Sequence, residues 1–118
     1  MKILIPLDDN QGFKSKISLH FGRAPYFALV DLEKGKVSLK VVENPRSKGV
    51  KPGELALSLN VDGVVIRGDI GVRALRMLRE AGISIYVITS KTLGEAIKEL
   101  TEGMLTEYLG EGCPGRRD

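Results

Sequence analysis

Thiol and imidazole are almost missing from this chain. It has one cysteine, Cys113, and one histidine, His20, among 118 residues. A single cysteine excludes an internal disulfide and points to an intracellular, cytoplasmic setting, where thiols stay reduced. One histidine and one tail cysteine also fall short of a zinc site with the usual ligand count, and no Ser-His-Asp set can be assembled around them. Tryptophan is absent, and asparagine and glutamine together number four. No apolar run approaches the ~20 residues of a membrane span. The opening segment Met1 to Pro6 turns polar too soon for a signal peptide. The charge balance of +3, with a pI near 9.1, permits an anionic partner but lacks the clustering of a nucleic-acid binder. Charged residues make up 28% of the chain, a bias that fits a protein adapted to heat.

What remains is an ordinary globular composition, long enough for one core without staples. Lys2 to Leu7 reads as a buried strand. Tyr26 to Leu32 and Lys36 to Glu43 are two strand-like runs separated at hairpin length by a turn containing Gly35. Val37, Leu39 and Val41 alternate with Ser38 and Lys40, as on a half-exposed strand. Asn44 to Pro52 reads as a mobile, solvated basic loop. Gly53 to Asn60 carries helical spacing, Val61 to Ile66 is a valine-rich buried strand, and Val72 to Ala81 is a helix that Gly82 ends. Ile83 to Ile88 is a further apolar strand. Thr92 and Glu95 form a capping box for a helix running toward Gly103. Strand, hairpin, helix, then strand–helix–strand–helix predicts a three-layer α/β/α domain over residues 1–108, followed by a flexible tail over 109–118. The first, fourth and fifth strands should form its parallel centre, with the hairpin to one side.

Candidate site residues follow from this layout. His20 lies in Ser18-Leu19-His20-Phe21-Gly22-Arg23-Ala24-Pro25, at a strand's entrance, and is the side chain suited to ligate a metal or titrate near neutrality. The alternative is a histidine that only packs locally. The segment Arg67-Gly68-Asp69-Ile70-Gly71-Val72-Arg73 is strand–Gly-x-x-Gly–helix. It either presents amides to an anion at a helix N-terminus or is simply a tight turn. Arg73 favours the first reading, because a cation in a helix's first turn is unfavourable unless an anion offsets it. Arg76 and Arg79 read as the same helix's solvated face. In an open α/β sheet, ligands collect outside the carboxyl ends of the strands, so the His20 loop and the Gly68–Gly71 turn are expected to meet there. Asp8, Asp9 and Asp69 raise a rival, a divalent-metal-dependent phosphodiesterase or nuclease, though no glutamate is placed to complete it. Cys113 is either a soft ligand that swings over the site or an incidental tail residue.

Four blocks give the sequence a family likeness: Ser18-x-His20-Phe21-Gly22-Arg23-Ala24-Pro25-Tyr26-Phe27, Val42-Glu43-Asn44-Pro45, Gly68-x-Ile70-Gly71-x-Arg73-Ala74-Leu75, and Ala81-Gly82-Ile83. Together, over Met1 to about Tyr108, they resemble the dinitrogenase iron–molybdenum cofactor biosynthesis family, the NifX-like proteins and the C-terminal domain of NifB. The resemblance implies a ribonuclease H-like fold with a five-stranded mixed sheet. It also implies non-catalytic binding or carrying of an iron–molybdenum or iron–sulfur cluster, or a precursor of one. Partners would then be metallocluster assembly proteins or an acceptor metalloenzyme, with no nucleic acid or membrane, and the chain would be a monomer or weak homodimer. His20 matches the family's cluster-linked histidine, with Cys113 as a possible second metal ligand. Arg23, Arg73 and the Gly68, Ile70 and Gly71 turn would cradle an anionic cargo. Where relatives commonly carry Gly-Gly-Ile-Gly-Pro-Arg-Ala, this chain has Asp69 and Val72. The alternative function is a regulatory domain that binds a small anion or nucleotide at the same turn.

Overall fold

A computed structural model describes residues 1–111. Six strands form one mixed sheet, ordered β3-β2-β1-β4-β5-β6. They are β1 (Lys2–Leu7), β2 (Tyr26–Glu33), β3 (Lys36–Glu43), β4 (Gly63–Ile66), β5 (Ser84–Val87) and β6 (Thr106–Glu107). Three α-helices connect them, α1 (Pro52–Ser58), α2 (Val72–Glu80) and α3 (Leu93–Thr101).

The centre of the sheet is set by sequence that is apolar on both faces. In β1, Ile3, Ile5 and Leu7 pack into one layer with Leu93, Ala96 and Ile97 of α3. Leu4 packs the other way, with Val64 and Ile66 of β4, Ala56 of α1 and Leu75 and Leu78 of α2. Each of these side chains is worth roughly 1.5–3 kcal/mol when fully buried, which fixes the register, since a slip of one residue would exchange the two faces. β1 runs parallel to β4, and β4 to β5, as the sequence predicts. The hairpin β2–β3 pairs antiparallel outside β1. Its outer strand leaves Lys36, Ser38 and Lys40 exposed, charges that discourage a further strand from adding there.

One strand departs from the five that the family resemblance implies. β6 pairs antiparallel with β5 through Tyr86↔Glu107 and Val87↔Thr106, and Tyr108 N donates to Ile85 O at 2.7 Å. Two residues are too few to show a period-2 pattern. The strand exists because the outer edge of β5 has backbone groups to satisfy. Arg79 also departs from expectation. It is not simply part of a solvated face: its guanidinium donates to the carbonyls of Tyr108 (3.2 Å) and Gly110 (3.0 Å) and lies over the Tyr108 ring. It thereby fastens the segment after β6 to the end of α2. No helix among the described residues is long and apolar enough to cross a membrane.

Candidate functional site

The site begins at a break between two parallel strands. β1 pairs with β4 only at Ile3↔Gly63 and Leu4↔Val64. Beyond that point comes Pro6, which has no N–H to give a ladder, and the carboxyl ends of the two strands diverge. The chain fills the gap with its own residues 16–20. Ile17 bridges Leu7, Ser18 N donates to Pro6 O at 2.9 Å, and His20 forms an isolated parallel bridge with Asp69. On the far side of the wedge, Lys16 bridges Thr92, and Ile17 N donates to Lys91 O at 2.9 Å. The crevice where sheets of this class hold ligands is therefore floored by the His20 segment, and the two loops predicted to converge do meet.

The geometry on each side is firm. The buried Ser18 hydroxyl accepts from His20 N (3.1 Å) and donates to His20 O (3.2 Å), which closes a local turn. Phe21 is 1% exposed and meets Phe27 edge-on, ring centroids 5.5 Å apart. Burying Phe21 leaves its neighbour His20 at the surface. The same device recurs in the facing loop, where Ile70 is fully buried and Asp69 is exposed. Gly68 explains how closely the loops approach. A Cβ built there would lie 2.7 Å from the Leu19 carbonyl oxygen, and the next residue's amide, Asp69 N, donates to that same oxygen at 3.2 Å.

The candidate residues thus have different fates. His20, Arg23 and Arg73 are exposed at this end of the sheet. Ile70 belongs to the core, so only its backbone is available to a ligand. Gly68 serves loop packing, and the Asp69 amide is already engaged. Gly71 is the N-cap of α2, which has no side-chain cap and no acidic residue in its first turn. By contrast, α1 has Glu54 accepting from Lys51 N (2.9 Å) and α3 has Glu95 accepting from Thr92 N (3.2 Å). Arg67, half-buried, donates from Nη1 to Ile17 O at 3.4 Å and braces the wedge. Asp9 is committed as well, accepting from Lys16 N and Gln11 Nε2, each at 2.9 Å. Cys113 lies outside the described residues. Among those residues no group of three or more His, Cys, Asp or Glu side chains is arranged to hold a metal.

Asn44 is the residue that sequence reasoning missed. Its Nδ2 donates to Gly22 O (3.1 Å) and Ala24 O (2.7 Å), its Oδ1 accepts from Arg46 N (2.9 Å), and Arg46 Nη1 reaches Gly22 O (3.2 Å). The segment expected to be a solvated loop instead clamps the turn that follows His20. The only signal was that Asn44-Pro45 stands in one of the resemblance blocks. Among the described residues, the one carboxyl with a resolved shift is Glu95. It is held below its ordinary value, first by the Thr92 hydroxyl and then by the Thr92 amide. A cavity of about 390 Å³ lies at the opposite end of the sheet, by Met1, Leu32, Lys34 and Leu100, away from this site.

Comparison with known proteins agrees with the fold. The profile of the family described as dinitrogenase iron-molybdenum cofactor matches residues 1–103. An uncharacterised protein of Methanocaldococcus jannaschii is 29% identical over 114 residues, spanning 92% of each chain. The crystal structure of the protein PH0822 is 32% identical, superimposes with a TM-score of 0.78, and covers 92% of this chain and 96% of its own. The NMR structure of a proposed NifB protein from Thermotoga is 28% identical with a TM-score of 0.76, covering 97% and 98%.

Proposed function

This chain belongs to the dinitrogenase iron-molybdenum cofactor family, and on that footing we propose that it binds and carries an iron–molybdenum or iron–sulfur cluster, or a precursor, without catalysing a reaction. The observation that carries the reading is the His20↔Asp69 bridge, which joins the imidazole-bearing loop to the turn before α2. His20 would be the cargo's ligand. Arg23, Arg73 and the open N-terminus of α2 would neutralise an anionic cargo through charge-assisted contacts and the helix's positive end. A single imidazole, with Cys113 as a possible second donor, is a sparse ligand set. Sparse ligation suits a load that must leave for an acceptor metalloenzyme or another assembly protein. We read the lone cysteine as the mark of a reducing, cytoplasmic compartment, and the order β3-β2-β1-β4-β5 as a ribonuclease H-like sheet extended by β6.

The test is anaerobic reconstitution of the full chain with iron and sulfide, or with isolated cofactor, followed by gel filtration and metal analysis. The wild type should retain metal with the protein peak, and His20→Ala should lose it. Equal retention by His20→Ala overturns the reading. A second reading, a small-anion or nucleotide-binding regulatory domain, is favoured by one observation, that α2 alone among the three helices has no acidic residue in its first turn. It predicts thermal stabilisation by phosphate compounds that survives His20→Ala and is lost in Arg73→Ala.

A further inference from the structure

We propose that His20 and Asp69 together form an imidazole–carboxylate site for a single divalent first-row transition-metal ion, so that the cargo includes one metal ion bound through nitrogen and oxygen. This deepens the carrier reading and rests on its use of His20 as a cargo ligand.

The argument is geometric. The two residues are partners in a parallel bridge, and strands in register stand roughly 4.8 Å apart. Each is followed by a fully buried residue, Phe21 and Ile70. Both exposed side chains therefore leave the same surface from neighbouring, co-directional backbones. Those backbones are already fixed: Ser18 Oγ accepts from His20 N, and Leu19 O accepts from Asp69 N. Among the described residues, neither the imidazole nor the Asp69 carboxylate has a hydrogen-bond or ion-pair partner of its own. A metal ion bonds imidazole nitrogen and carboxylate oxygen at about 2.0–2.2 Å, a span that two adjacent side chains of this length can bridge.

The charges around the pair give Asp69 its role. Arg23 and Arg73 lie on the same end of the sheet and Arg67 braces the floor through Ile17 O, so a lone imidazole would face a field that repels cations. One carboxylate beside it offsets that field locally. Imidazole with carboxylate suits zinc, nickel or copper rather than a purely thiolate-bound centre. Two protein ligands also leave at least two positions of a four-coordinate shell for groups that arrive with the ion or belong to the acceptor. For the same reason Asp69 is out of place against a purely anionic load.

The test uses the full chain titrated with Ni²⁺ in a non-coordinating buffer, read by calorimetry and by ¹⁵N-resolved NMR. One equivalent should bind, and the paramagnetic ion should broaden amide signals of residues 18–22 and 67–70 together. Asp69→Asn should weaken binding by more than the roughly tenfold that even loss of an outer-sphere partner costs, and His20→Ala by at least as much. Asp69→Glu should keep most of the affinity. Because Asp69 is exposed, the Asn variant should retain the wild-type dispersion of signals, so a loss of affinity cannot be put down to unfolding. Binding by Asp69→Asn within about twofold of wild type, or broadening confined to residues 18–22, overturns the site. Cluster retention by the same variants separates the two claims. Ni²⁺ binding without cluster retention in the wild type would sink the carrier reading alone, and cluster retention without Ni²⁺ binding would sink this site alone.

Discussion

Replacing Gly68 with alanine tests the meeting of the two loops directly. The new Cβ would sit 2.7 Å from Leu19 O, whereas ordinary contact begins at 3.4 Å, so the loops must part by about 0.7 Å. The bond from Asp69 N to Leu19 O is already 3.2 Å long, and an opening of that size takes it past 3.5 Å and breaks it. Overpacking costs about 1–3 kcal/mol and a lost hydrogen bond about 0.5–1.5 kcal/mol. Because breaking the bond is the way the clash is relieved, the two terms overlap, and about 2 kcal/mol is the expected total. At about 2.1 cal/mol/K of unfolding entropy per residue, this lowers the melting temperature by roughly 8 °C. Gly68 has no positive φ, so strain in the backbone itself adds nothing. Gly82 is the control, with φ +75° and open space around its Cβ position; Gly82→Ala should cost about 1–2 kcal/mol from left-handed strain alone. Chemical denaturation gives both stabilities, and NMR shifts locate the change. In Gly68→Ala the shifts should centre on residues 18–22 and 67–71, and Ni²⁺ binding should weaken. A Gly68→Ala protein as stable as wild type, with those signals unmoved, would refute the claim that this glycine exists to let the loops touch.

Three further outcomes follow from the same geometry. Asn44→Ala removes three hydrogen bonds and strands the Ala24 carbonyl, while Gly22 O keeps Arg46, so it should cost about 1–3 kcal/mol in a denaturant titration and raise amide exchange across residues 21–25. Glu95 should titrate below the ordinary glutamate range, because Thr92 stabilises its charged form. A carboxyl lowered in this way supports the fold above its unfolded-state pKa and loses that support as the pH falls through the folded-state value. NMR-detected titration should show Thr92→Ala returning the midpoint toward the ordinary glutamate range, because the capping hydroxyl that stabilises the charged form is gone. Arg79→Ala should leave the core intact while speeding hydrogen exchange at residues 106–110, since the guanidinium is what holds the carbonyls of Tyr108 and Gly110.

The parts of the fold that were legible from sequence are those whose cause is local or periodic. The β2–β3 hairpin is announced by alternation and by Gly35 at φ +80°. β1, β4 and β5 are announced by short apolar runs, and α3 by its capping box. β6 was not legible, because its two residues are recruited by an edge made elsewhere in the chain. The clamp made by Asn44 was missed for a related reason: a side chain bonding to carbonyls about twenty residues away leaves no periodic trace. The Gly68 turn lies where the strand–Gly-x-x-Gly–helix pattern places it, but its first glycine does not serve to expose an amide. The structure gives it a steric reason instead, which no single sequence could disclose without the position of Leu19. The high charge content fits no ion-pair network among the described residues, where one pair, the Met1 amine with Asp31 at 3.7 Å, lies within 4 Å. An exposed pair of that kind contributes little.

The same contrast explains how a sparse site can be a well-defined one. The contacts that set the position of His20 and Asp69 come from the surrounding scaffold: the bridge itself, the Ser18 turn, Phe21 against Phe27, Ile70 in the core, the Asn44 clamp and the Arg67 brace. None of them depends on the two side chains proposed to meet a ligand. Substituting either should therefore change stability by no more than about 0.5 kcal/mol, as at other exposed positions, while changing what is bound. A scaffold assembled in this way can exchange its ligating residues without refolding. That accounts for how the fold accommodates a charged residue, Asp69, beside His20. On the proposed reading, the residue beside the histidine, rather than the histidine alone, would select the cargo.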